Sequence, residues 1–157
     1  MDRNGSLVGS RSLSHGAGPL GTVSFDTVGS IYTTFGGGGE FNSGGVVKLN
    51  AASKHKLYWF NGKNGAEPTT GVLVDSKNAV LYGTTYLGGS IGMNAGTIYE
   101  ITSPPQETVL YNFCSQPNCT DGAGPWAGLV KDKAGNLYGT TKLGGANGLG
   151  VVYEITR

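Results

Sequence analysis

The chain says nearly the same thing three times, and that constrains its fold more than any other feature. One block runs Gly65-Ala66-Glu67-Pro68, Asp75, Leu81-Tyr82-Gly83-Thr84-Thr85, Gly88-Gly89 and Ile98-Tyr99-Glu100-Ile101. It returns as Gly122-Ala123-Gly124-Pro125, Asp132, Leu137-Tyr138-Gly139-Thr140-Thr141, Gly144-Gly145 and Val152-Tyr153-Glu154-Ile155. A more diverged copy holds Gly16-Ala17-Gly18-Pro19, Asp26, Ile31-Tyr32-Thr33-Thr34, Gly36-Gly37 and Val46-Val47-Lys48-Leu49. Pro19, Pro68 and Pro125 stand 49 and 57 residues apart, a period that belongs to stacked or radial repeats. The reading is a single repeat domain over 1–157, with units at 16–64, 65–121 and 122–157. Residues 7–19 align without a gap to 113–125, so 1–15 read as the end of a permuted repeat.

Each unit reads as four short strands. In the third, 127–131 is an apolar run, and Asp132-Lys133-Ala134-Gly135-Asn136 is a hairpin turn, with Asp opening it and Gly supplying the positive φ. Strands follow at 136–141 and 151–155, the latter alternating apolar and polar residues as a half-buried strand does. The fourth strand is represented by 108–113 in the second unit and by 57–60 in the first. Val, Ile, Thr, Tyr and Phe fill these runs, which favours sheet over helix. The expected fold is all-β: three four-stranded antiparallel repeats laid out as propeller-like blades. Three blades are fewer than the usual four to eight, so a half-propeller completed by oligomerisation is expected, with a homodimer the simplest form. A β-trefoil, also three repeats of four strands, is the alternative.

The words Leu-Tyr-Gly-Thr-Thr, a Gly-Gly loop and Val-Val-Tyr-Glu-Ile resemble the bacterial GloVer-type tandem repeats. These occur in long exported or surface-anchored proteins. The resemblance implies a propeller-like fold and a non-catalytic surface role. It also favours an extracytoplasmic location, although Met1-Asp2-Arg3-Asn4-Gly5 does not read as a signal peptide.

Composition removes several function classes. The formal net charge is +1 and charged residues are 13% of the chain, so no basic face for nucleic acid is expected. No apolar run approaches the ~20 residues of a membrane helix. Cys114 and Cys119 flank Ser-Gln-Pro-Asn, a turn-forming spacer that brings two Cα atoms within disulfide range. The pair is read as a disulfide, with free thiols as the alternative. A zinc pair lacks partners beyond His15 and His55.

Function is placed by location. In a blade, the connections between second and third strands share one face with the connections between blades. Here these are the long ones, 36–45, 87–96 and 143–150 together with 61–70 and 114–126. Long loops on a rigid scaffold are where binding normally sits. The candidate ligand-binding residues are Trp126, Asp121, Asn64, Glu67, His15, Asn94 and Asn147. Trp126 offers an aromatic plane for a sugar ring, with Asp121 and Asn64 as hydrogen-bonding neighbours. Packing between blades is the competing role for that tryptophan. Asp26, Asp75 and Asp132 repeat at a turn and read as turn residues, since no closing Glu of a calcium loop follows. Gly36-Gly37-Gly38-Gly39 lacks the Lys-Ser/Thr ending of a phosphate loop. The expected function is a non-enzymatic binding or interaction module, lectin-like on the long-loop face, with no cofactor and no metal. Its expected partners are a second copy of itself and a carbohydrate or surface partner. The alternative is a propeller-type hydrolase or lactonase acting at the central channel, but the inner-strand residues Gly71-Val72-Leu73-Val74 and Gly128-Leu129-Val130-Lys131 are mostly apolar.

Overall fold

The computed structural model of the protein describes residues 16–49 and 54–157. Among them the chain is strand, turn and loop, with one 3-10 turn at Pro117–Cys119. The first sheet contains β1 (Gly16–Pro19), β2 (Ser24–Phe25), β3 (Ile31–Gly38), β4 (Gly45–Leu49) and β5 (Lys54–Trp59). The second contains β6 (Leu73–Asp75), β7 (Val80–Thr85), β8 (Thr97–Ile101) and β9 (Glu107–Asn112). The third contains β10 (Ala123–Pro125), β11 (Val130–Lys131), β12 (Leu137–Leu143) and β13 (Val152–Ile155).

Every pairing is antiparallel, and β2 to β5, β6 to β9 and β11 to β13 run as meanders whose successive strands are neighbours. The three-repeat, all-β expectation therefore holds. The trefoil does not: the strands form three separate sheets, and none is closed into a barrel. Nor do the three sheets close a propeller ring on their own.

Three local readings need correction. Gly-Ala-x-Pro is itself a pairing element. It forms β1 and β10 on the far halves of β3 and β12, and the isolated bridge Ala66↔Leu87 in the second repeat. The first-repeat glycines that match Gly88-Gly89 are Gly38-Gly39: Asn42 Oδ1 accepts from Gly38 N as Asn94 Oδ1 accepts from Gly88 N. The stretch around His55, which as Ser53-Lys54-His55-Lys56 reads in sequence as a solvated turn, contributes His55 to β5 instead. The reading of 1–15 as the end of a permuted repeat falls outside the described residues, as does His15.

The shared motif has a steric reason. Gly83 pairs with Tyr99, and Gly139 with Tyr153, on adjacent strands. A Cβ at either glycine would stand 2.3 Å from the tyrosine hydroxyl. The first repeat changes both members together, pairing Thr33 with Val47. Tyr-Gly-Thr and the downstream Tyr-Glu-Ile are therefore one motif split across two strands.

Burial occurs between sheets rather than inside them. At the first junction the buried cluster joins Tyr32, Val46 and Phe60 of sheet one to Val72, Leu81, Tyr99 and Ile101 of sheet two. The second junction repeats it one unit on, with Tyr82, Ile98 and Phe113 meeting Leu129 and Leu137, and with Tyr153 and Ile155 packed alongside. Phe60 meets Tyr99 edge-on at 4.8 Å, and Phe113 meets Tyr153 at 5.0 Å. Sheet two thus turns one face to sheet one and the other to sheet three.

Candidate binding face

Backbone hydrogen bonds knit the long loops into one rim. Ala66 N donates to Leu87 O at 2.8 Å, and Gly89 N to Gly62 O at 2.9 Å. Gly145 N donates to Cys119 O at 2.9 Å in the third repeat. Two further bonds cross between repeats: Glu67 N to Ser43 O at 3.0 Å and Gly124 N to Ala95 O at 2.7 Å. Interlocked backbone of this kind holds loop-borne side chains in fixed positions.

Trp126 stands on this rim and is 52% exposed. The pairing of Pro125 with Thr141 sets it beside Lys142, whose Nζ lies 4.8 Å from the centre of the indole. Tyr86 meets the indole edge-on at 4.8 Å, with the planes at 86°. The same Tyr86 ring lies over Gly124, where φ is +60°, a conformation L side chains rarely adopt, and an added Cβ would come within 2.7 Å of the ring. The aromatic pair therefore requires that glycine. Leu20, Phe41, Ile91, Met93, Leu143 and Leu149 are also exposed on the long-loop end. Together with Trp126 they give the rim an apolar character that single scattered side chains would not.

The other expected binding residues hold the loops in shape. Asp121 Oδ2 accepts from Tyr111 OH at 2.8 Å and from the backbone and hydroxyl of Ser115, each at 2.9 Å, while Oδ1 accepts from Gln116 N at 3.2 Å. Burial raises its pKa, but these donors outweigh that and hold the carboxyl below the ordinary aspartate value. The Cys114–Cys119 disulfide closes the same loop. Asn64 exchanges bonds with Asn61, donates to Tyr58 OH, and donates to Glu107 Oε2 at 3.1 Å. Burial raises the pKa of Glu107 against the lowering effect of Asn64 and Tyr58, and its Oε1 is buried without a hydrogen-bond partner. Glu67 works through its backbone, held at φ 53°; Asn94, at φ 52°, caps Gly88. Asn147 is exposed on the third loop. Trp126 is thus the predicted site residue that combines exposure with an aromatic surround.

The three repeated aspartates are turn residues. Asp26 Oδ1 accepts from Val28 N and Ser30 N, and Asp132 Oδ1 from Gly135 N and Asn136 N. Tyr32 OH and Tyr138 OH reach the second oxygens at 2.9 and 3.0 Å. Burial pushes the Asp26 carboxyl up, yet Ser30, Tyr32 and Lys48 bring it to about 2; Asp75 is brought to about 2 chiefly by Lys131.

Sequence reasoning missed a cavity at the opposite, tight-turn end. It measures about 210 Å³ and lies at the first junction, between Tyr32, Lys48 and Leu57 on one side and Val74, Leu81 and Ser103 on the other. At the second junction the positions of Val74 and Ser103 are taken by Lys131 and Arg157. Lys131 pairs with Asp75 and Arg157 Nη1 with Glu100 at 2.8 Å, and both lie over the Tyr82 ring. Comparing repeat copies for side-chain size was the signal that would have found it.

Among the described residues no three His, Cys, Asp or Glu side chains gather as metal ligands, and no helix is long and apolar enough to cross a membrane. The sequence model of a family described as the Gloeobacter/Verrucomicrobia repeat matches residues 4–157. The chain belongs to that family. Among curated proteins and among solved structures, none matches the chain. The three repeats of this member of the family thus share an interlocked loop rim, and Trp126 is peculiar to its third copy.

Proposed function

We propose that this member of the Gloeobacter/Verrucomicrobia repeat family is a non-enzymatic binding module that takes its ligand on the long-loop rim. The sheets act as propeller-like blades, a half-ring completed by a second copy. The observation that carries the reading is the half-open indole of Trp126, framed by Tyr86 and Lys142 on an apolar rim fixed by backbone bonds. An exposed aromatic plane with a polar neighbour suits a carbohydrate ring, whose C–H face stacks while its hydroxyls find hydrogen-bond partners. The Cys114–Cys119 disulfide beside this rim is in keeping with an extracytoplasmic setting.

A glycan array tests it. The native chain is expected to retain a defined set of glycans, and Trp126→Ala to lose them by at least about fivefold, since stacking of this kind is worth roughly 1 kcal/mol or more. Retention of the same glycans by the alanine variant, or an array with no retained glycan, overturns the reading.

A further inference from the structure

The two end sheets each carry an open face, and the internal junctions show what fits it. On the side turned to the following repeat, Val46 and Ile98 are 0% exposed; the matching Val152 of sheet three is 81% exposed, and Val130 beside it 64%. On the side turned to the preceding repeat, Val72 is 3% and Leu129 7% exposed; the matching Val23 of sheet one is 55% exposed, and Phe25, in the place of Val74 and Lys131, 62%. Val47 of that face is already buried. The two open faces are therefore the two halves of a junction the molecule builds twice within itself.

We infer that the Val130/Val152 face of sheet three docks on the Val23/Phe25 face of sheet one of a second copy, head to tail. The reciprocal contact closes a two-chain ring of six sheets. The inference rests on the blade reading above and adds the surfaces and their polarity. Both ends also carry the backbone pair that crosses each internal junction. Where Glu67 N meets Ser43 O and Gly124 N meets Ala95 O, the corresponding groups are Gly18 N and Leu149 O, and Leu149 is 86% exposed. Phe25 of the second copy would lie against Tyr138, as Lys131 lies over Tyr82 within the chain. The outer edge of β13 has no fourth meander strand among the described residues. A groove runs beside it, lined by Tyr111, Phe113, Thr120 and Asp121. Apolar faces complementary in this way associate because contact removes them from water.

Sedimentation velocity on the full chain and on two surface variants tests this. The native chain should sediment at twice the monomer mass. Val152→Glu and Phe25→Glu each place a charge in the junction and should weaken self-association about 100-fold or more. Both positions are exposed, so the monomers should keep the native circular dichroism spectrum; Val130→Glu serves as a second variant of the same face. Mixing Val152→Glu with Phe25→Glu leaves one intact junction and should restore a species of two chains. A native dimer indifferent to all three variants overturns the assigned faces but spares association by a second copy. A native monomer overturns both. A mixture that stays monomeric at millimolar chain overturns the head-to-tail polarity.

Discussion

The two junctions bury equivalent positions but close their tight-turn ends differently. The second fills that space with Lys131 and Arg157, each paired with an acid of sheet two and lying over Tyr82. The first has Val74 and Ser103 there, and a cavity remains. Its cation comes from within sheet one: Lys48 pairs with Asp26 at 3.4 Å and sits 5.2 Å from the centre of the Tyr32 ring. Both junctions therefore set a positive charge over the same repeated tyrosine, one from its own sheet and one from the next. The apolar centre defines how the sheets stack, whereas the rim of each junction is free to vary in charge and volume.

The most severe test of this equivalence is removal of the central aromatics. Phe60→Ala and Phe113→Ala should each cost about 3–5 kcal/mol in urea unfolding, as buried phenylalanines do. Phe60 should lie at the upper end because its partner Tyr99 is fully buried, whereas Tyr153 is half-buried. Equal losses would show that the lesser burial of Tyr153 does not weaken its junction.

A smaller effect comes from exchanging the rims. Lys131→Val with Arg157→Ser should open a second cavity and cost about 1–2 kcal/mol through lost packing and ion pairs. In the other direction, Ser103→Arg alone brings a cation toward Lys48 and should not stabilise. Combined with Lys48→Glu it should gain about 0.5 kcal/mol relative to the sum of the single changes, read from a double-mutant cycle. Additive behaviour would mean the two positions do not meet.

Acid gives the smallest expected signal. The carboxyls of Asp26 and Asp75 are held at about 2, below the ordinary 3.8. A depressed folded-state pKa contributes stability that is present above 3.8 and lost as pH falls through about 2. The urea midpoint should therefore fall between pH 4 and pH 2, and Asp75→Asn should remove part of that slope. Because Asp75 is bound by Lys131 from the next sheet, its loss acts on the second junction, whereas the Asp26–Lys48 pair is internal to sheet one.

Much of this architecture was legible because the chain supplies its own comparison. Strands alternate in polarity, turns carry Asp and Gly at fixed offsets, and the repeated Asp26, Asp75 and Asp132 took the turn role their recurrence implied. The long loops were legible as one rim. What sequence did not reveal depended on contacts between units. Gly-Ala-x-Pro looked like a linker, since Gly and Pro are poor strand residues, yet it pairs along β3 and β12. Asp121 and Asn64 looked available for a ligand, but their hydrogen-bonding groups are directed at Tyr111, Ser115, Tyr58 and Glu107. The cavity at the first junction is set by the volumes of residues far apart in sequence, such as Tyr32, Val74 and Ser103.

The glycine that makes room for a tyrosine hydroxyl on the neighbouring strand has a genetic corollary. Repeated DNA recombines, and an exchange between copies is harmless only when it carries both members of that pair. A crossover in the loop between β3 and β4 would join Thr33 to a tyrosine in place of Val47, setting a side chain where the hydroxyl must lie. Exchanges that survive should therefore break outside the two strands, so that the hairpin is inherited whole.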